Sequence, residues 1–366
     1  MNDLRLIHLV TDLKHRLRRL QSFLEGRTPT LPAIAASHAK RLLARVDRAL
    51  ATAEALLVEP NLGHPTLGRH YFYDYKRLAE FTQQFEEWPA MVLERFSPAD
   101  ETMSSVVARI CKEVGYPHSP PLCASVSLQY FAAIPSHDLV AAPATVGNDL
   151  LSWPDIYHEM GHFLLARHEA QLARPIRNSI DKHYAAAIAD AKLRSWPAGA
   201  IEELERLRTL WSGSWVLEFG SDMLATLLCG PAFGHSNVRL SAVVSHDVFA
   251  WSASHPADDA RSTAICKMLR AMALAPEATH VDRQWAALVS LCGDTRPQTY
   301  GLAFPQGLLD EVVRVTKGGA TSLGLRTYRA GAGSIAEVLN SAWEEFARDP
   351  EGFDTWQRSH LTELLS

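Results

Sequence analysis

The chain has 366 residues, 47% of them hydrophobic, which is ample for one large core or two smaller ones. A formal net charge of −5 gives no argument for nucleic acid. No stretch approaches the roughly 18–20 apolar residues of a membrane span, and "MNDLRLIHLVTDLKHRLRRL" has charges inside every apolar window, unlike a signal peptide.

Charge is uneven along the chain. Residues 1–50 carry ten Lys/Arg against four Asp/Glu, a net of +6, so the remainder stands at −11. Such a segment fits the solvated face of amphipathic helices, or contact with an acidic partner or anionic surface. Its apolar positions, Leu6, Val10, Leu13, Leu17, Leu20 and Leu24, step by four and three, a heptad seam that keeps Arg16, Arg18 and Arg19 aside. "GRTPTLP" (26–32) breaks this helix. A second follows with Ala39, Leu42, Val46, Ala49 or Leu50, Ala53 and Leu57 on one side, and "EPNLGHP" (59–65) ends it. Residues 1–58 therefore read as an antiparallel helical hairpin. It either packs on the main domain or serves as an arm for a homodimer or a protein partner.

Residues 71–97 and 100–114 are expected to be helical. "ASVSLQYFAAI" (124–134) is then rich in β-formers, "PSHD" (135–138) reads as a turn and "LVAAPA" (139–144) as a second strand. From there to about 292 the chain is mostly helical, and "GGATSLGLRTYRAGAG" (318–333) is loop-like. Ser334 and Glu337 have the spacing of a capping box before a helix over 335–347. Five scattered cysteines, Cys111, Cys123, Cys229, Cys266 and Cys292, lack any Cys-x-x-Cys spacing. They suggest reduced thiols in a cytoplasmic protein, mostly as small core residues.

The chemistry-bearing stretch is "SWPDIYHEMGHFLLARHEA" (152–170). Ser152 is placed to cap a helix with Pro154 and Asp155 in its first turn. His158 and His162, four apart, lie one turn above each other, so both imidazoles can reach one metal ion. Glu159 is turned by about 100° and flanks the metal, where it can take a proton from a metal-bound water. Zinc lowers that water's pKa to roughly 7. Ile156, Met160, Phe163 and Leu164 supply buried faces.

A catalytic zinc takes three protein ligands and keeps a fourth position open. His168 has the metzincin spacing, but Leu165 stands where that pattern needs a turning glycine, so His168 is expected to continue the helix and face elsewhere. The better third ligand is in "WVLEFGSDMLATLLCGPAF" (215–233). Glu218 and Asp222 share one helical face, and Gly230 and Pro231 stop the helix. Glu218 completes a His-His-Glu set, and Asp222 can accept the second N–H of a ligating histidine. Gly220, Ser221 and Ala225 are small enough for two helices to approach closely. In "SHPADDAR" (254–261), His255 and Arg261 could polarise a substrate carbonyl or steady an oxyanion; on its own this reads equally as a helix start with Asp258 and Asp259 in the first turn.

The order "HEMGH", "EFGSD", "HPADDAR" resembles gluzincin metallopeptidases of the CAAX-prenyl endopeptidase and HtpX heat-shock protease type. "QYFAAIPSHDLVAAP" is similar to the edge-strand hairpin of that family. The likeness covers about residues 124–275. It departs at Ser221-Asp222-Met223, where the family has Ala-Asp-Arg, and in lacking the membrane spans of familiar members.

The resemblance implies a zinc site of His158, His162 and Glu218, with Glu159 as general base and Asp222 behind the ligands. His255 and Arg261 would assist the transition state. The expectation is a mainly α zincin, a helical bundle around the His-Glu-x-x-His helix with a small β-sheet at its edge. Residues 1–58 form the hairpin and 66–366 the metallopeptidase domain. The chain is expected to be a cytoplasmic hydrolase holding one zinc and cleaving peptide bonds, with substrate paired along a strand in 126–133. A zinc hydrolase acting on another bond and a catalytically silent zinc-binding interaction protein are the alternatives.

Overall fold

The computed structural model describes residues 6–64, 66–127, 130–244 and 247–365. The first helices are α1 (Leu6–Arg27), α2 (Ala33–Leu57), α3 (Phe72–Phe85), α4 (Met91–Arg95) and α5 (Pro98–Val114). Three short strands follow, β1 (Leu122–Ser127), β2 (Ala132–Ile134) and β3 (Leu139–Pro143), in the sheet order β1-β3-β2. The rest is helical: α6 (Pro154–Arg167), α7 (Ala173–Leu193), α8 (Ala198–Leu210), α9 (Val216–Cys229), α10 (Pro231–Val244), α11 (Asp258–Ala271) and α12 (Ala275–Cys292). After these come α13 (Tyr300–Ala303), α14 (Gln306–Ser322), α15 (Ile335–Arg348) and α16 (Phe353–Leu365). The chain is thus mainly α with one small sheet. Among the described residues no helix is long and apolar enough to cross a membrane.

Two compact units emerge. The first comprises Met1–Ala108, Pro121–Leu128 and Ser136–Ala142, and the second comprises Arg109–Pro120, Gln129–Pro135 and Pro143–Ser366. In the first, α1 lies against α2 and α3, and α2 also meets β1. Val10, Leu13, Leu17, Leu20 and Leu24 are all buried, so the heptad seam is covered within this unit. On α2 the buried stripe ends at Leu56, three residues after Ala53, and Leu57 is half-buried.

Several local expectations change. The expected single strand over 124–134 is two strands, β1 and β2; Leu128 and Gln129 lie outside the described residues. Helix α14 extends to Ser322, so the loop begins later than residue 318. Ser334 does cap α15 by accepting from the Glu337 N–H at 3.3 Å. The Glu337 carboxylate, however, accepts from the Gly331 and Gly333 N–H groups, ordering the preceding loop instead of completing the reciprocal box.

In the second unit, α6 and α9 pack side by side. Their closeness has a direct cause. A Cβ placed on Gly161 would lie 2.6 Å from Ser221 Cα, and one on Gly220 would lie 2.8 Å from a Leu165 methyl. The first contact is with backbone and cannot yield, so glycine at 161 permits the approach, whereas at 220 the Leu165 side chain would have to shift. Trp211 stacks on Phe219 with centroids 4.5 Å apart, and Trp211, Trp215, Phe219 and Phe304 are buried around α9. Cys111, Cys123, Cys229 and Cys266 are buried free thiols, and Cys292 is exposed.

Candidate metal centre

The site is built wholly within the second unit. Helix α6 begins at Pro154, where proline is suited to the first turn, but Trp153 rather than Ser152 occupies the capping position. The Ser152 hydroxyl instead donates to Asp149 Oδ2 at 2.5 Å. The helix stops at Arg167. His168 therefore does not continue it, and its ring stacks on His118 with the two Nε2 atoms 2.8 Å apart. His168 pairs with His118 and stands outside the His158, His162 and Glu218 cluster. The helix ends before it and does not run on through it as the missing glycine suggested.

His158 and His162 bring their Nε2 atoms to 3.1 Å of each other. From α9, Glu218 places one carboxylate oxygen 3.6 Å from His158 Nε2 and the other 3.8 Å from His162 Nε2. The three ligand atoms lie within 4.8 Å of one another. Zinc bonds of about 2.0–2.2 Å in a tetrahedron put ligand atoms roughly 3.3–3.5 Å apart, so the spacing and the N, N, O donor set fit that ion.

Behind the ligands, His158 Nδ1 and Asp222 Oδ1 are 2.9 Å apart, so Nδ1–H donates to the carboxylate and Nε2 is left facing the cluster. Asp222 is fully buried and receives Arg261 Nε and Nη2, both at 2.8 Å. Arg261 sits one turn into α11 and is itself well covered, 12% exposed. It spends two donors on Asp222, stands 3.8 Å from Glu218 through Nη2, and has Asp258 4.0 Å from Nη1, so it touches the site both through Asp222 and directly at Glu218. Phe233 of α10 lies nearly parallel to the His158 ring, 6.0 Å between centroids.

The charges are strongly mutual. Burial alone would lower the His158 pKa, but Asp222 and Glu218 outweigh it and raise it to about 10. His162, dominated by burial and then by the charge of His158, falls to about 4. Burial would raise Glu218, yet His158 and Arg261 hold it below the usual carboxylate range. Asp222 is likewise held down by Arg261 against burial. Burial pushes Glu159 up to about 7, while a backbone hydrogen bond from Ala133 of β2 works against the rise. The two glutamates thus shift in opposite directions, Glu218 downward beside His158 and Arg261 and Glu159 upward through burial.

These groups open onto a cleft of about 860 Å³. Its apolar walls include Phe131, Leu217, Phe233, Leu240 and Trp251. His255 also lines it and is exposed, with Nδ1 2.9 Å from Ser254 Oγ and its backbone N–H donating to Ser252 Oγ. Trp215 Nε1 holds that loop by donating to the Ser252 carbonyl at 3.0 Å. His255 lies three residues before α11 starts at Asp258, not at the helix start itself. Asp259 is no surface acid: it is buried and accepts from Trp285, Tyr300 and Arg296.

The structure therefore brings His158, Glu159, His162, Glu218, His255 and Arg261 to one cleft, with Asp222 buried behind His158. Sequence reasoning missed Gly161 as the contact point of the two ligand helices, although it lies inside "HEMGH". It also passed over Asn237 of α10, whose position carries no motif. The chain matches no protein-family model, and no curated protein or solved structure matches it.

Proposed function

We propose that the second unit is a zinc-dependent metallopeptidase of the gluzincin type, hydrolysing peptide bonds. The observation that supports this most directly is the convergence of His158, His162 and Glu218 within 4.8 Å, with Glu159 beside them on the same cleft. A structural zinc has no use for a second, non-ligating carboxylate lining the same cleft, as Glu159 does.

Zinc held by His158, His162 and Glu218 would supply a Lewis acid for the substrate carbonyl and acidify water. His158 would hold the ion through Nε2 as a neutral imidazole, with its Nδ1–H donating to Asp222. Glu159 takes a proton from the attacking water, whose oxygen bonds to the carbonyl carbon. As the C–N bond breaks, Glu159 returns that proton to the leaving nitrogen. His255 is placed to steady the oxyanion. Arg261 keeps Asp222 charged and oriented, and Asp222 keeps His158 in the right tautomer. The extended substrate backbone runs along β2, where the Ala133 backbone already reaches Glu159.

The test is metal analysis of purified full-length protein beside a peptide-library cleavage assay. About one zinc per chain is expected, lost in His158→Ala, His162→Ala and Glu218→Ala alike, together with zinc-dependent cleavage. Full zinc occupancy in Glu218→Ala would remove the gluzincin assignment.

A further inference from the structure

The His118–His168 pair lies outside the cleft and has no part in the chemistry above. Both residues belong to the second unit. Their Nε2 atoms are 2.8 Å apart, and their ring planes are inclined by only 28° with centroids at 4.8 Å. The backbone around both is anchored. His168 closes α6: its N–H donates to the Leu164 carbonyl at 2.9 Å, and its own carbonyl accepts from the Gln171 and Leu172 N–H groups. His118 follows the turn after α5, where Gly115 takes a φ of +70° and the Tyr116 N–H returns to the Cys111 carbonyl at 2.8 Å. Buried Tyr116 meets the His118 ring edge-on at 5.7 Å, and its hydroxyl accepts from Arg167 at 3.2 Å.

We infer that His118 and His168 form a second metal site, taking a tetragonal dication of the copper(II) or nickel(II) type through both Nε2 atoms. Two bonds of about 2.0 Å at a right angle put their nitrogens roughly 2.8 Å apart, whereas a tetrahedral ion spreads them to about 3.3 Å. The observed separation fits the first geometry, and neutral imidazole is a ligand suited to those ions. At this distance one Nε2–H also donates to the other nitrogen. Binding requires only that the donor ring shift to its Nδ1–H tautomer, which frees both Nε2 lone pairs without net loss of a proton. Partial burial and then the Arg167 charge hold both histidines below their ordinary pKa, which favours the neutral rings that a metal needs. Arg167 opposes a dication, but its guanidinium is turned to the Tyr116 hydroxyl and over the Phe163 ring, 5.8 Å from the centroid. The neighbouring acid, Glu169, lies 3.6 Å from Arg177, so the remaining positions on the ion fall to water. An ion here ties the turn after α5 to the C-terminal end of α6, the helix that carries His158 and His162. The site stands independently of the peptidase reading, since it uses neither the cleft nor its ligands.

Titration of full-length, zinc-loaded Cys292→Ser protein with Cu2+ tests this, followed by calorimetry and electron paramagnetic resonance. The substitution removes the exposed thiol, which would otherwise react with copper. A micromolar site with a tetragonal spectrum and two nitrogen ligands is expected. Adding His118→Ala or His168→Ala should each weaken it about tenfold or more and remove one nitrogen from the spectrum. His64→Ala, an exposed histidine elsewhere, should change neither. Copper should also raise the thermal midpoint, and both site variants should abolish that rise. The same series in a His162→Ala background keeps the cleft from contributing, so a failed zinc reading leaves this result intact. Affinity and spectrum unchanged in both site variants would mean an adventitious ion only and overturn the site. Loss in one variant without the other overturns the pairing as well.

Discussion

Arg261 grips Asp222 through two parallel hydrogen bonds of 2.8 Å, and Asp222 in turn holds His158 Nδ1 at 2.9 Å. The carboxylate is fully buried, so its charge is tolerable because the guanidinium, and with it the His158 N–H, compensates it. Removing the two partners should therefore have unequal effects. Asp222→Ala is expected to weaken zinc binding about 10–100-fold. Arg261→Ala, which strands the carboxylate, should also cost about 3–5 kcal/mol of stability. The double variant should be more stable than Arg261→Ala alone. Chemical denaturation with zinc titration checks this, and a double variant less stable than both single ones would contradict it.

Glu159→Gln should retain zinc and the fold while cleavage falls by about 10²–10⁴-fold, because the amide cannot accept a proton. Single-turnover cleavage and metal analysis on one preparation give both readings. Substantial cleavage by this variant would move the base elsewhere.

Gly161→Ala tests the approach of the two ligand helices. The new methyl would meet Ser221 Cα at 2.6 Å, against backbone that cannot swing away. Helices α6 and α9 must part, at a cost of about 1–3 kcal/mol. Because His158 and His162 come from one helix and Glu218 from the other, zinc affinity should fall with stability. Gly199→Ala, with open space around its Cβ, is the matched control and should leave zinc affinity unchanged.

Acid should weaken the first unit through two buried histidines. His38 is 2% exposed and His137 fully buried, between Phe81 and Phe85, with no partner on either His137 ring nitrogen among the described residues. Burial lowers their pKa values, His38 to about 3 and His137 to about 4. Both folded values lie below the unfolded value of about 6.5, so the stabilising contribution is complete above that pH. It is lost as pH falls toward 4, by about 2 kcal/mol per histidine between pH 6.5 and 5. Thermal melts across this range should show the loss, and His137→Phe should flatten it. An unaltered pH slope in that variant would rule out His137 as a contributor.

The general organisation was legible from residue order alone. Periodicities of four and three placed α1 and α2, and the His-Glu-x-x-His spacing placed two imidazoles on one face, because both depend only on the pitch of a helix. Glu218 could also be chosen in advance: a carboxylate is conspicuous in the apolar stretch "WVLEFGSDMLATLLCG", and Gly220 and Ser221 beside it announce a close helix neighbour.

What only tertiary structure decided is which long-range partner each group meets. Spacing cannot say that Arg261 clasps Asp222, since 39 residues separate them. Nor can it say that His168 turns away to His118, 50 residues upstream. Asn237 has no signature at all, and its interest lies in a hydrogen bond it fails to make inside a cleft formed by several helices. Local pattern specifies direction along an element. The distances and burial that tune Glu159 and isolate Asn237 arise only when elements far apart in sequence pack together.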